Sequence, residues 1–183
     1  MAARRITAIA SQDGGPRPGR EETVAGFGAF TALADAPVHV VTMAAHGERA
    51  GCLVGFAGQC SIEPVRFVVW LSKVNHTYRL ARTAQTLVVH LLDRRQHRLA
   101  ERFGALCGAR HDKFADLDWS EGPDGAPVLT DALASFAGRV HDRFDGGDHV
   151  AFVLDPDRVR ISPKDRGPAL SLRDTLDIDA GHP

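Results

Sequence analysis

The sequence lacks most of the features that announce a function. Its three cysteines, Cys52, Cys60 and Cys107, are odd in number and match no zinc or iron–sulfur spacing. Neither a disulfide framework nor a metal site is expected, and the thiols read mainly as small apolar fillers. There is no Gly-x-Ser-x-Gly elbow, no Gly-x-x-x-x-Gly-Lys-Ser/Thr loop, no His-Glu-x-x-His and no dinucleotide fingerprint, so the hydrolase, P-loop, metalloprotease and Rossmann readings lose their usual support. The 9 histidines are scattered without paired ligand spacing, and no metal is expected. No apolar run approaches the length of a membrane span, and residues 1–19 have no apolar middle of the signal-peptide kind. A cytoplasmic protein that makes no membrane contact is the expectation. The formal net charge is -1 and the pI about 6.7, with no block of one sign, which removes the field that would collect nucleic acid.

What is present suits one globular domain. With 183 residues, 44% hydrophobic and 25% charged, the chain can bury a core without staples. Residues 1–20 concentrate Gly and Pro and predict a flexible arm. Behind an acidic first turn, Val24, Phe27, Phe30, Thr31 and Leu33 approximate a helical stripe that Pro37 stops. Short β-rich runs follow at Val38–Thr42, Ala50–Phe56 and Arg66–Leu71. A short helix is predicted over Asn75–Gln85, a strand over Thr86–Leu92, and a helix over Arg94–Leu106 with Leu99, Ala100, Phe103 and Leu106 on one face. Ala134–Phe144 alternates as a half-buried strand, with Phe136, Gly138, Val140 and Asp142 inward or the opposite phase. Gly146-Gly147 predicts a hairpin turn before closing strands at His149–Leu154 and Val159–Ser162. Short strands without regular strand–helix alternation favour a mainly β, antiparallel barrel carrying two or three peripheral helices. The folded domain is expected to span residues 21–162, and the polar tail 163–183 to wander over the surface or pack on a neighbouring subunit.

One stretch has an unusual order of residues: Gly51-Cys52-Leu53-Val54-Gly55-Phe56-Ala57-Gly58-Gln59-Cys60-Ser61-Ile62-Glu63-Pro64. It resembles the flavin reductase-like motif Gly-Met-Thr-Ala-Asn-Ser-Phe-Thr-Ser-Val-Ser-Leu-Asp-Pro-Pro, matching at Gly51, Ser61, Glu63 (as Asp) and Pro64. Further landmarks keep family order: Val40-Val41-Thr42, Phe67–Leu71, Asp93–Phe103, Lys113-Phe114, Pro127-Val128-Leu129 and Gly147-Asp148-His149. The resemblance runs from about Thr23 to Ile161. It implies an FMN-binding split β-barrel with Greek-key-like connectivity, a homodimer, and NADH- or NADPH-dependent reduction of FMN or FAD. It also implies a partner monooxygenase fed with reduced flavin.

Physically the motif suits a flavin cradle. Small residues near Gly55 let main chain approach a planar ring, and the resemblance places Val54, Gly55, Phe56, Gln59, Cys60 and Ser61 around it. Ser61, Lys73, Asn75, His76 and Thr77 offer hydroxyl, ammonium, amide and imidazole groups to the ribityl phosphate. The plainer reading makes Asn75 a helix cap and Lys73 a solvated charge. Lys113 and Phe114 resemble a segment that closes over the cofactor. His149 resembles the histidine beside the flavin and is the candidate catalytic residue; its plainer reading is a turn residue beside an Asp. Gly58, Val65 and Leu53-Val54-Gly55 depart from the family pattern, leaving ring contacts mostly backbone or apolar. Two other readings stay open: a tightly flavin-bound oxidoreductase acting on a small organic substrate, and a non-catalytic split barrel holding flavin or haem.

Overall fold

The computed structural model describes residues 19–163 and 167–181. Most of the expected arm at residues 1–20 lies outside them. The described residues fall into two compact units, one up to Ala34 and the other from Asp35 on. In the first, helix α1 (Arg20–Ala34) carries Val24, Phe27, Phe30 and Leu33, all exposed, with the two phenyl rings 6.1 Å apart.

The second unit is built on nine strands: β1 (His39–Ala45), β2 (Glu48–Val54), β3 (Ala57–Ser61), β4 (Arg66–Ser72), β5 (Thr86–Leu91), β6 (Trp119–Glu121), β7 (Pro127–Leu129), β8 (Ala134–Asp145) and β9 (His149–Ile161). Its helices are α2 (His76–Ala81) and α3 (His97–Ala105). β1 is rich in β-branched residues and turns tightly into β2 at His46 and Gly47, both in left-handed backbone (φ 53° and 78°), as a two-residue hairpin requires. The main sheet is antiparallel throughout, in the order β2-β1-β5-β8-β9-β4-β3. β6 and β7 form a separate two-stranded sheet.

This order forces the shape of the sheet. β2 and β3 are consecutive in the chain, joined by Gly55 and Phe56, yet they occupy opposite edges. Flat, a sheet of this order would hold its edges roughly 29 Å apart at about 4.8 Å per strand, whereas three extended residue steps reach at most about 11 Å. The sheet therefore curls until its edges adjoin without pairing, which makes a split barrel. α2 packs against β1, β2 and β4 along this side.

Two apolar layers follow from β1, whose two faces are both covered. Val41 and Met43 join Cys52, Val54, Leu71, Leu87, Val89 and Phe152 inside the curl. Val38 and Val40 face outward, with Leu92, Phe103, Leu129 and Leu170, toward α3 and the C-terminal segment. At β8, Phe136 and Val140 pack on the inner layer, which settles the strand's phase, and the strand is exposed beyond Val140. Gly51 is required here by packing, since a Cβ would stand 2.7 Å from the Phe103 ring.

Three elements differ from the expectation. The run Ala50–Phe56 ends at Val54, and β3 begins at Ala57, after two intervening residues, on the other edge. The two closing strands are one, β9, running through Pro156. β9 outruns β4 at Leu154, so Pro156 sits where one side of the strand has no partner. The C-terminal segment 167–181 docks on its own unit instead of wandering, with Leu170 fully buried and main-chain bonds Leu170 N–H to Leu92 O and Val38 N–H to Leu170 O.

His90 is fully buried in β5, its Nδ1 3.0 Å from Val40 O and its Nε2 accepting from Leu129 N–H, a pattern that fixes the neutral ring with the proton on Nδ1. Burial lowers the pKa of His90 to about 4, and of His39 to about 4 as well. The unfolded chain takes up these protons near 6.5 and the folded chain only near 4. Stability is thus full above pH 6.5 and is lost progressively as pH falls toward 4, by about 2 kcal/mol for His90 at pH 5. Urea midpoints measured across this window should fall; a flat profile would contradict a neutral buried ring.

Candidate functional site

At the split the largest described cavity opens, with a volume of about 760 Å³. The β2–β3 turn contributes Gly55 and Phe56, the end of β4 contributes Ser72, the β4–α2 loop contributes Lys73, Val74 and Asn75, and the start of β9 contributes His149 with Asp148 just before it. These segments are tied together by the sheet itself. Ser72 faces His149 in the β4–β9 register, Lys73 N–H donates to Asp148 O at 2.9 Å, and Trp70 N–H donates to Phe56 O at 2.9 Å. Phe56, 57% exposed, and His149 stand with ring centroids 5.3 Å apart and tilted by 58°. Two aromatic faces at the mouth of an apolar cavity suit a planar ligand.

The polar groups on this wall are oriented by neighbours. His149 Nδ1 lies 2.9 Å from Asp148 Oδ1, which leaves Nε2 available, and the hydrogen bond to His149 holds Asp148 below the ordinary carboxylate range. Lys73 Nζ reaches both Asp145 oxygens at 2.8 and 2.9 Å, and this bond holds the Asp145 carboxyl below its usual range. Both partners are solvent-exposed, so the pair is weak and its ammonium is available to an incoming phosphate. Asn75 Oδ1 accepts from Thr77 N–H at 3.0 Å and caps α2, as in the plainer reading, while the residue still lines the cavity.

Not all the expected residues come together. Val54 and Thr77 are buried and outside the lining, so Val54 offers at most main chain. Gln59, Cys60 and Ser61 lie along β3 outside the lining, with Gln59 Nε2 donating to Ser61 O. His76 lines a second cavity of about 550 Å³, where Arg49, Arg110 and Lys113 also lie, and its buried Nδ1 has no hydrogen-bond partner. Phe114 is buried between Phe103 and Trp119. Lys113 is almost fully buried, and its Nζ donates to Gly51 O at 3.1 Å and Phe103 O at 2.9 Å. It fastens the last turn of α3, whose carbonyls lack helical partners, to edge strand β2. Burial lowers its pKa.

The lining also includes residues that sequence reasoning missed. Leu53, Phe103 and Gly104 face the cavity, as do Leu172, Thr175, Ile178, Ala180 and Gly181 of the C-terminal segment. Nothing in that polar, Asp-rich tail signals a ligand wall. Among the described residues, no three His, Cys, Asp or Glu side chains cluster for a metal, and no helix is long and apolar enough to cross a membrane.

The model of the flavin reductase like domain matches residues 32–177, most of the chain and all of the cavity lining except Ile178, Ala180 and Gly181. The chain belongs to that family. Among curated relatives, the FMN reductase (NADH) RutF 2 of Rhizobium rhizogenes is 34% identical over 139 residues, covering 74% of this chain and 76% of the relative. The reductase subunit HsaB of a flavin-dependent monooxygenase from Rhodococcus jostii is 36% identical over 107 residues, covering 56% of this chain and 53% of that one. In that alignment the chain spans about half of the relative's length. Among solved structures, the NADH:FAD oxidoreductase SgcE6 of Streptomyces globisporus superposes with a TM-score of 0.69 at 22% identity, over 84% of this chain and 92% of that chain. That likeness extends the antiparallel split-barrel fold of this flavin reductase family member to a solved neighbour.

The placement of Lys113 yields a prediction. Lys113→Met leaves two buried carbonyls without a donor and should lower unfolding stability by about 2 kcal/mol. Urea denaturation checks the loss, and flavin affinity of the folded variant should be unchanged.

Proposed function

We propose that this chain is an NAD(P)H-dependent flavin reductase that binds FMN or FAD in the cavity at the split and supplies reduced flavin to a partner monooxygenase. The observation that carries the reading is the meeting of Phe56 and His149 with Lys73 and Asn75 around one cavity large enough for a flavin ring. Family membership supports it. So do the names of relatives, which include an NADH-dependent FMN reductase and a monooxygenase reductase subunit.

The residues present fit a flavin mononucleotide. Its tricyclic ring needs flat, largely apolar walls with a few main-chain donors, and its phosphate needs a cation in reach. Phe56 and the main chain at Gly55 would flank the ring, and Lys73 with Asn75 would receive the phosphate. When bound, the flavin supplies the centre that accepts hydride from the nicotinamide. The protein's own work is positioning and exclusion of water. Asp148 holds the His149 imidazole through Nδ1, which would leave Nε2 for the nicotinamide or the ring edge, and the apolar lining would keep solvent from the reacting face. No protein nucleophile is required. A homodimer accords with the family reading, and an apolar stripe such as that on α1 is a surface that a second copy would cover.

The direct test follows NADH and NADPH loss with FMN and FAD added in turn. Turnover is expected with at least one pair, and none with any pair would refute the reading. His149→Ala should slow turnover about tenfold while leaving the unfolding midpoint in place. Lys73→Ala should raise the FMN dissociation constant about tenfold, read by quenching of flavin fluorescence.

A further inference from the structure

We propose that the C-terminal segment 172–181 is the ring-facing wall of the flavin site, with Leu172 and Ile178 setting how the isoalloxazine ring seats. The inference rests on the flavin reading of the cavity and goes beyond it by assigning a determinant of ring binding outside the glycine-containing motif.

Four observations carry it. First, the segment is fixed at both ends by main chain: Leu172 N–H donates to Ala36 O at 2.9 Å and Gly181 N–H donates to Gly104 O at 2.9 Å. Its start is held by Asp93, a fully buried carboxylate that accepts from Gly167 N–H at 2.7 Å. Second, its apolar side chains lie on two glycines, Gly55 of the β2–β3 turn and Gly104 of α3. A Cβ on Gly55 would stand 3.3 Å from Leu172 Cδ1, and one on Gly104 would stand 2.9 Å from Ile178 Cγ2. The small residue at position 55, which sequence reasoning assigned to the ring alone, also makes room for Leu172.

Third, the three aspartates of the segment, Asp174, Asp177 and Asp179, all lie outside the cavity lining. Asp174 pairs with Arg94 at 2.8 Å, and Asp177 lies 2.9 Å from His97 Nε2. Neither aspartate lines the cavity, whereas Leu172, Thr175, Ile178 and Ala180 do. An anionic nucleotide thus meets an apolar surface and no carboxylate from this side. Fourth, the polar groups Lys73 and Asn75 come from the β4–α2 loop and not from this segment, so the two parts of the lining divide the ligand chemically. The apolar side suits the ring and the polar side suits the phosphate. Leu176, 76% exposed and absent from the lining, serves as an internal control on the same segment.

The test compares FMN with riboflavin, which has the ring and no phosphate, by fluorescence quenching on purified full-length protein. Leu172→Ala and Ile178→Ala should raise both dissociation constants by the same factor, about fivefold or more, because each removes apolar contact with the ring only. Leu176→Ala should change neither. If Leu172→Ala fails to fold, Ile178→Ala, at a half-buried position, decides the matter alone. Wild-type binding of both flavins with unchanged affinity in Ile178→Ala would overturn the wall and leave the flavin site standing. Failure of the wild-type protein to bind either flavin would overturn the flavin reading itself, and the wall with it.

Discussion

Between Val54 and Ala57 the chain has three steps in which to pass from one edge of a seven-stranded sheet to the other. That short reach curls the sheet, and the unpaired seam between β2 and β3 is where the chain leaves an opening lined by its own turn. Everything proposed for the site follows from this constraint. The turn itself presents Gly55 and Phe56, the Trp70 to Phe56 hydrogen bond sets its height, and the β4–β9 register brings His149 opposite Ser72. A closed barrel built from the same strands would bury these groups in pairing.

Around the seam, charge is arranged by local pairing and not by any net field. Asp148 orients His149, Asp145 holds Lys73 near the opening, and Arg94 and His97 draw the tail's carboxylates away from the apolar lining. The buried ammonium of Lys113 works differently, since it satisfies carbonyls and fastens α3 to an edge strand. A lysine at a family landmark can therefore be read as structure as readily as chemistry, and only its burial distinguishes the two.

Much of the fold was legible in the sequence because β-branched runs and turn residues report local geometry. The strands β1, β4, β5 and β8, the helix at α3 and the hairpin before His149 all follow from such signals. β3 was not, because Ala57-Gly58-Gln59-Cys60-Ser61 is too small and polar to read as a strand, and its position is set by the crossing and not by its own pattern. Pro156 disguised the continuity of β9. At the site, Gly55, Phe56, Lys73, Asn75 and His149 were found through an ordered resemblance. The C-terminal wall escaped because its apolar residues, Leu172 and Ile178, sit among aspartates, two of which, Asp174 and Asp177, bond to Arg94 and His97, partners about 80 residues earlier in the chain.

The most direct measurement is a crystal structure of the protein grown with FMN. The account predicts the flavin ring at the β2–β3 seam, in contact with Phe56 and within hydrogen-bond reach of the Gly55 main chain, with its phosphate on Lys73. A ring bound elsewhere, or a seam filled by the protein's own side chains while FMN is reduced, would contradict it.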